Sequence, residues 1–125
     1  MSLDTIRLSQ TARDQLIRLK RTTGIKNWNV LCRWALVVSL RDSSTPLVKE
    51  IVTDSNVEMD WRTFAGTHAH VYLALLKQRC ATDGLPVDDK SLSHTLTVHL
   101  HRGVGYLAGN KEVRTIRELV ATAVA

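Results

Sequence analysis

Cysteine is nearly absent: the 125 residues contain two, Cys32 and Cys80. Both lie within apolar stretches, which reads as small core residues in a reducing compartment and excludes a disulfide framework. Long apolar runs are missing as well. Trp34–Val38 spans five residues, whereas a membrane-crossing helix needs roughly 20, so a membrane protein is not expected. The opening residues, Met1-Ser2-Leu3-Asp4-Thr5, have neither a basic segment nor an apolar one, so a cytoplasmic location is expected rather than export. There is no internal repeat and no low-complexity linker, and the length suits a single domain over residues 1–125. Catalytic signatures are lacking too: there is no G-x-S-x-G, no H-E-x-x-H and no Walker loop.

What is present is ordinary globular material. Apolar residues make up 44% and charged residues 23%, which argues against disorder. A chain of this size buries roughly two-thirds of its unfolded surface, enough for a core without disulfides or metal.

The unusual feature is where the charge sits. The net charge is +5, yet residues 1–41 alone carry +6, from Arg7, Arg13, Arg18, Lys20, Arg21, Lys26, Arg33 and Arg41 against Asp4 and Asp14. The rest of the chain nets −1. Positive charge concentrated in one part of a domain is the electrostatic footprint of a polyanion binder. Lysine and arginine on such a face contact phosphates, supplying affinity and salt dependence but no sequence readout. The candidate DNA-binding residues are Arg7, Arg13, Arg18, Lys20, Arg21 and Lys26. Arg18, four residues after Asp14, is expected to pair with it. Arg33 and Arg41 rank lower, because they fall on an apolar helix and are expected to cap carbonyls or pair internally.

Periodicity predicts a mainly α, compact helical domain with a short N-terminal strand. Thr5-Ile6-Arg7-Leu8 alternates like a half-buried strand. Ser9 is a good N-cap for a helix from about Gln10 to Thr23, with Ala12, Leu16 and Leu19 as its buried stripe and Gly24 as its left-handed stop. Asn27 is placed to cap a second helix, about Trp28 to Arg41. Its apolar residues lie all round the cylinder, as in a helix buried in a core or shared with another subunit. Residues 42–56 are irregular, with Leu47–Val52 readable as a short helix or an extended segment. Val57, Met59 and Trp61 alternate with Glu58, Asp60 and Arg62, a weak strand signal. Helices follow at Thr67 to Cys80, over about 18 residues marked by Leu92, Leu96, Leu100, Gly103 and Leu107, and from Glu112 to Val124.

The five histidines do not form a ligand set. His99 and His101 point apart on a helix, His68 and His70 likewise, and no carboxylate accompanies His94 and His101. Gly103-Val104-Gly105-Tyr106-Leu107-Ala108 matches a dinucleotide pattern formally, but no strand–turn–helix unit surrounds it. Its glycines are better read as permitting close helix packing or a bend. No metal, cofactor or catalytic centre is expected, and the chain reads as a non-enzyme. The first third, strand, basic helix, Gly turn and buried helix, has the order of a ribbon–helix–helix domain. In that fold the strand pairs with its copy and enters the major groove, where Thr5 and Arg7 would read bases. A transcriptional regulator of this type, or an assembly scaffold whose basic face meets an acidic partner, is the alternative to a DNA-binding accessory subunit.

The segment Gly24-Ile25-Lys26-Asn27-Trp28-Asn29-Val30-Leu31-Cys32-Arg33-Trp34-Ala35-Leu36 resembles the DndE family of bacterial DNA sulfur-modification proteins. That family belongs to the set that replaces a non-bridging phosphate oxygen with sulfur. Trp61-Arg62-Thr63-Phe64-Ala65-Gly66 and His101-Arg102-Gly103-Val104-Gly105-Tyr106-Leu107 look like its later motifs. The resemblance implies a small helical subunit, assembled as a homotetramer, that binds double-stranded DNA with a preference for nicked duplex through surface lysines. Lys20 and Lys26 best fit that role, and Lys77, Lys90 and Lys111 are further candidates. The sulfur chemistry would then belong to companion proteins: a cysteine desulfurase, an iron–sulfur protein and an ATPase-like subunit.

Overall fold

A computed structural model of the chain describes residues 5–46, 51–109 and 120. Strand β1 (Thr5–Arg7) leads into helix α1 (Gln10–Thr23). The Ser9 side chain accepts the Ala12 N–H at 3.1 Å, a cap whose loss costs about 1 kcal/mol. Ala12, Leu16, Leu19 and Thr23 form the buried stripe. At the far end Gly24 sits at φ 75° and donates its N–H to the Lys20 carbonyl at 3.0 Å, a left-handed stop that glycine adopts without strain. Thr23 tightens the same turn: its hydroxyl donates to the Leu19 carbonyl at 2.6 Å and accepts the Ile25 N–H at 3.2 Å.

Helix α2 (Trp28–Arg41) begins and ends as its sequence suggests. Asn27 has the extended backbone of an N-cap, but its side chain makes no cap bond. Leu31, Cys32, Ala35, Leu36 and Ser39 are buried, while Val30, Trp34 and Val37, on another side, are half-buried. The buried side lies along α5 (Asp89–Gly109), the most extensive helix pairing in the fold. Gly103 permits that closeness, since a Cβ there would overlap the Ala35 carbonyl and lie 2.9 Å from Ala35 Cα. Among the described residues, nothing lies within 4 Å of a Cβ at Gly105.

Strand β2 (Glu58–Asp60) pairs antiparallel with β1, with Ile6 opposite Met59 and Arg7 opposite Glu58. The strand–helix–helix order therefore stands, but β1 is paired within its own chain rather than with a copy. The alternation around Val57 does not continue past Asp60, because the Asp60 carboxylate accepts the Thr63 N–H at 2.6 Å and opens a short helix, α3 (Trp61–Ala65). A 3₁₀ turn (Gly66–His68) leads into α4 (Ala69–Thr82). Asp88 accepts the Ser91 N–H at 2.8 Å and starts α5, which runs 21 residues. The helix expected from Glu112 to Val124 lies outside the described residues apart from Val120, and of Leu47–Val52 only Ile51 and Val52 are described.

Candidate nucleic-acid interface

The six basic residues singled out by charge differ in the partners they take within the chain. Arg7 pairs with Glu58, its cross-strand partner, at 2.6 Å, with both side chains about half exposed. Arg13 donates from Nε to the Asn56 side-chain oxygen at 2.9 Å and lies 3.9 Å from the Asp14 carboxylate. Arg18 does not pair with Asp14. It sits on the other flank of α1 and donates to the Ala108 carbonyl at 3.4 Å, while Asp14 accepts from Gln10 at 3.1 Å.

The other three, Lys20, Arg21 and Lys26, gather at the C-terminal end of α1 and the turn that follows. Lys20 and Arg21 occupy the last turn of the helix, where positive charge also opposes the negative end of the helix dipole. Arg21 and Lys26 are exposed and make no ion pair among the described residues. Lys20 is half-buried because its ammonium lies over the Trp28 ring, 3.5 Å from the centroid. The two loop-closing bonds at Thr23 and the Gly24 stop hold this turn in one shape. The sequence places Trp28 at the start of the second helix, and its contact with Lys20 escaped that reading. Its only signal there is the spacing of a lysine and a tryptophan four residues either side of the glycine. Lys77 and Lys90 are exposed on α4 and α5, away from this turn in the chain, and Lys111 lies outside the described residues.

Three arginines serve the fold instead. Arg33 on α2 donates from Nε to the Phe64 carbonyl and from Nη2 to the Thr63 carbonyl at 3.1 Å, and Asn29 adds a bond to Thr63 at 3.1 Å. It therefore caps carbonyls as expected. Arg102 and Arg79 converge on the end of α2. Arg102 binds the Ser39 hydroxyl and carbonyl at 2.9 and 2.8 Å and the Ser44 carbonyl at 3.0 Å. Arg79 binds the carbonyls of Leu40, Asp42 and Ser44, and its Nε lies 3.4 Å from Asp83. Asp42, bonded to the Ser44 hydroxyl and N–H and to the Tyr106 hydroxyl, is held well below the usual carboxylate range.

His99, His101 and Cys32 are likewise structural in setting. His99 is buried, with Nδ1 2.8 Å from the Ser39 hydroxyl. Burial, helped by the Arg79 and Arg102 charges, pushes its pKa down to about 4. His101 accepts the Ser9 N–H at Nε2, 3.1 Å, so its proton sits on Nδ1 and is donated to the Thr97 carbonyl at 2.7 Å; burial lowers its pKa too. His68, His70 and His94 are exposed, and among the described residues no three potential ligands come together. Burial pushes the Cys32 thiol up to about 12, the wrong direction for a nucleophile.

The family model of the DNA sulphur modification protein DndE matches residues 5–115. The chain belongs to the DndE family. Among solved structures, it is similar to DndE from Escherichia coli B7A, a protein involved in DNA phosphorothioation modification. The two are 26% identical with a TM-score of 0.67, and the match covers 86% of this chain and 99% of that one. A DndE mutant involved in DNA phosphorothioation, with two glycine-to-lysine substitutions, is 22% identical with a TM-score of 0.66, covering 86% and 98%; at that identity the likeness is one of fold. No curated protein matches the chain.

The three segments that resemble DndE meet in space. Arg33 of the first grips the Thr63 and Phe64 carbonyls of the second, and a Cβ on Gly66, at φ 64°, would lie 2.6 Å from its guanidinium. Ala35 of the first lies against Gly103 of the third. Arg33, Gly66 and Gly103 therefore serve the packing of the fold, whereas Lys26 in the turn, Arg62 and Tyr106 are exposed.

Proposed function

We propose that this DndE-family chain is a non-catalytic, DNA-binding subunit of the phosphorothioation machinery. It binds duplex DNA, nicked duplex preferentially, through phosphate contacts made by Lys20, Arg21 and Lys26. The observation that carries the reading is the clustering of three cations, Arg21 and Lys26 exposed and Lys20 half-buried, on a rigid turn in a family of DNA sulphur modification proteins. Arg7, Arg13 and Arg18 contribute less, since each already has a partner in its own chain. The raised Cys32 pKa and the buried His99 support a role without covalent chemistry. The cysteine desulfurase, iron–sulfur and ATPase-like proteins of the same system are its partners, and the assembly is a cytoplasmic homotetramer. The half-buried Val30, Trp34 and Val37 supply an apolar strip for subunit contact. Among the described residues, no helix is long and apolar enough to cross a membrane.

The preference for a nick follows from deformation energy: a break in one strand lowers the cost of bending duplex onto a basic surface. Binding to labelled nicked and intact duplexes of unrelated sequence tests the reading, with Lys20→Glu/Lys26→Glu beside the wild type. Tighter, sequence-independent binding to nicked duplex, lost in the double variant, is expected. Selective binding of one sequence, indifferent to nicks, would indicate a regulator instead. No binding near physiological salt would indicate a scaffold.

A further inference from the structure

We infer that Trp28 is a positioning residue for DNA binding, the platform that holds the Lys20 ammonium in place to receive a backbone phosphate. The inference rests on the reading of Lys20, Arg21 and Lys26 as the phosphate-binding face. Lys20 ends one helix and Trp28 begins the next, and the ring meets the ammonium 3.5 Å from its centroid across the Gly24 turn.

The chemistry favours this use of the contact. An ammonium over an indole face is attracted by the ring quadrupole, and its three N–H donors point in different directions, so one face rests on the ring while the others remain for an anion. A free lysine has four rotatable carbons to immobilise when it contacts a phosphate, and each such side chain fixed on binding weakens association about two- to tenfold. Lys20 is already half-buried and fixed, whereas Arg21 and Lys26 are not held in this way. The backbone beneath it is equally constrained, because the Lys20 carbonyl accepts the Gly24 N–H at 3.0 Å and Thr23 bonds both Leu19 and Ile25. Trp28 thus converts a flexible cation into a preset one. A purely structural role would make the same pair a staple between α1 and α2 and nothing more.

The two roles separate in a double-mutant cycle on the full chain, read by anisotropy of a labelled nicked duplex and by thermal unfolding. Trp28→Leu keeps an apolar contact without a π face, Trp28→Phe keeps the π face, and Lys20→Met removes the charge. Trp28→Leu is expected to weaken DNA binding about two- to tenfold, with Trp28→Phe restoring most of the affinity at similar thermal stability. In the Lys20→Met background, Trp28→Leu is expected to cause no further loss. Equal affinity of the Leu and Phe variants, or a full Trp28→Leu loss persisting beside Lys20→Met, would overturn the inference while leaving the DNA-binding face intact. Unchanged affinity in Lys20→Met itself would overturn the phosphate-binding role of Lys20, and this inference with it.

Discussion

Gly103→Ala tests the packing at the centre of the fold. The added methyl would overlap the Ala35 carbonyl and lie 2.9 Å from Ala35 Cα, and the obstacle is backbone of a neighbouring helix, not a side chain able to swing aside. Ordinary carbon contacts need about 3.5–4.0 Å, so α2 and α5 would have to separate by on the order of 1 Å along their largest interface. Overpacking of this kind costs about 1–3 kcal/mol, and the rigid backbone partner puts Gly103→Ala at the upper end. Helix propensity works the other way, since alanine is better than glycine by about 1 kcal/mol. Gly105 on the same helix isolates that term, because among the described residues nothing lies within 4 Å of a Cβ there. Gly105→Ala is therefore expected to be neutral or stabilising by up to about 1 kcal/mol, and Gly103→Ala destabilising by about 2 kcal/mol net. Urea denaturation of the two variants beside the wild type measures the difference. Equal stability of Gly103→Ala and Gly105→Ala would refute the close approach of α2 and α5.

Two further outcomes follow from the buried polar groups. Arg33→Met leaves the Thr63 and Phe64 carbonyls without the guanidinium and is expected to cost about 1–3 kcal/mol in urea denaturation, with DNA affinity of the folded protein unchanged; a stability equal to wild type would contradict the clamp. His99 and His101 both have pKa values lowered by folding, so the unfolded chain binds more protons in this range. The stability they contribute is complete above the ordinary histidine pKa of 6.5 and is lost as pH falls from there, for His99 through about 4. Denaturation midpoints are expected to fall between pH 7 and pH 5, and a flat profile would show that these histidines are not buried neutral.

The parts legible in the sequence were those decided by neighbours in the chain. Ser9, Gly24 and the Ala12–Leu16–Leu19 stripe bound α1 because capping and helical periodicity act within a few residues. Helix α3 was missed, although Asp60, three residues before Thr63, carries a capping signal; the alternation of Val57, Met59 and Trp61 masked it. The basic region was legible in the sequence, but the partners its residues take in the fold were not. Arg7 and Arg13 bond Glu58 and Asn56, more than 40 positions away, and Arg18 bonds the Ala108 carbonyl. Pairings at that separation are set by tertiary packing and leave no local pattern. The same holds for Arg102, whose partners on and after α2 turn an apparent motif residue into a helix-end clamp.

The central claim is that phosphates are bound by the turn after α1 and not by the basic third as a whole. The most direct measurement is anisotropy of a labelled nicked duplex across a salt series for two neutralised proteins, Lys20→Gln/Arg21→Gln/Lys26→Gln and Arg7→Gln/Arg13→Gln. With each phosphate contact adding about 0.9 to the logarithmic salt slope, the triple variant is expected to lose about two to three from that slope along with most of its affinity. The double variant is expected to stay close to wild type. Equal losses per charge removed in the two proteins would contradict the claim and return the binding face to the whole N-terminal third.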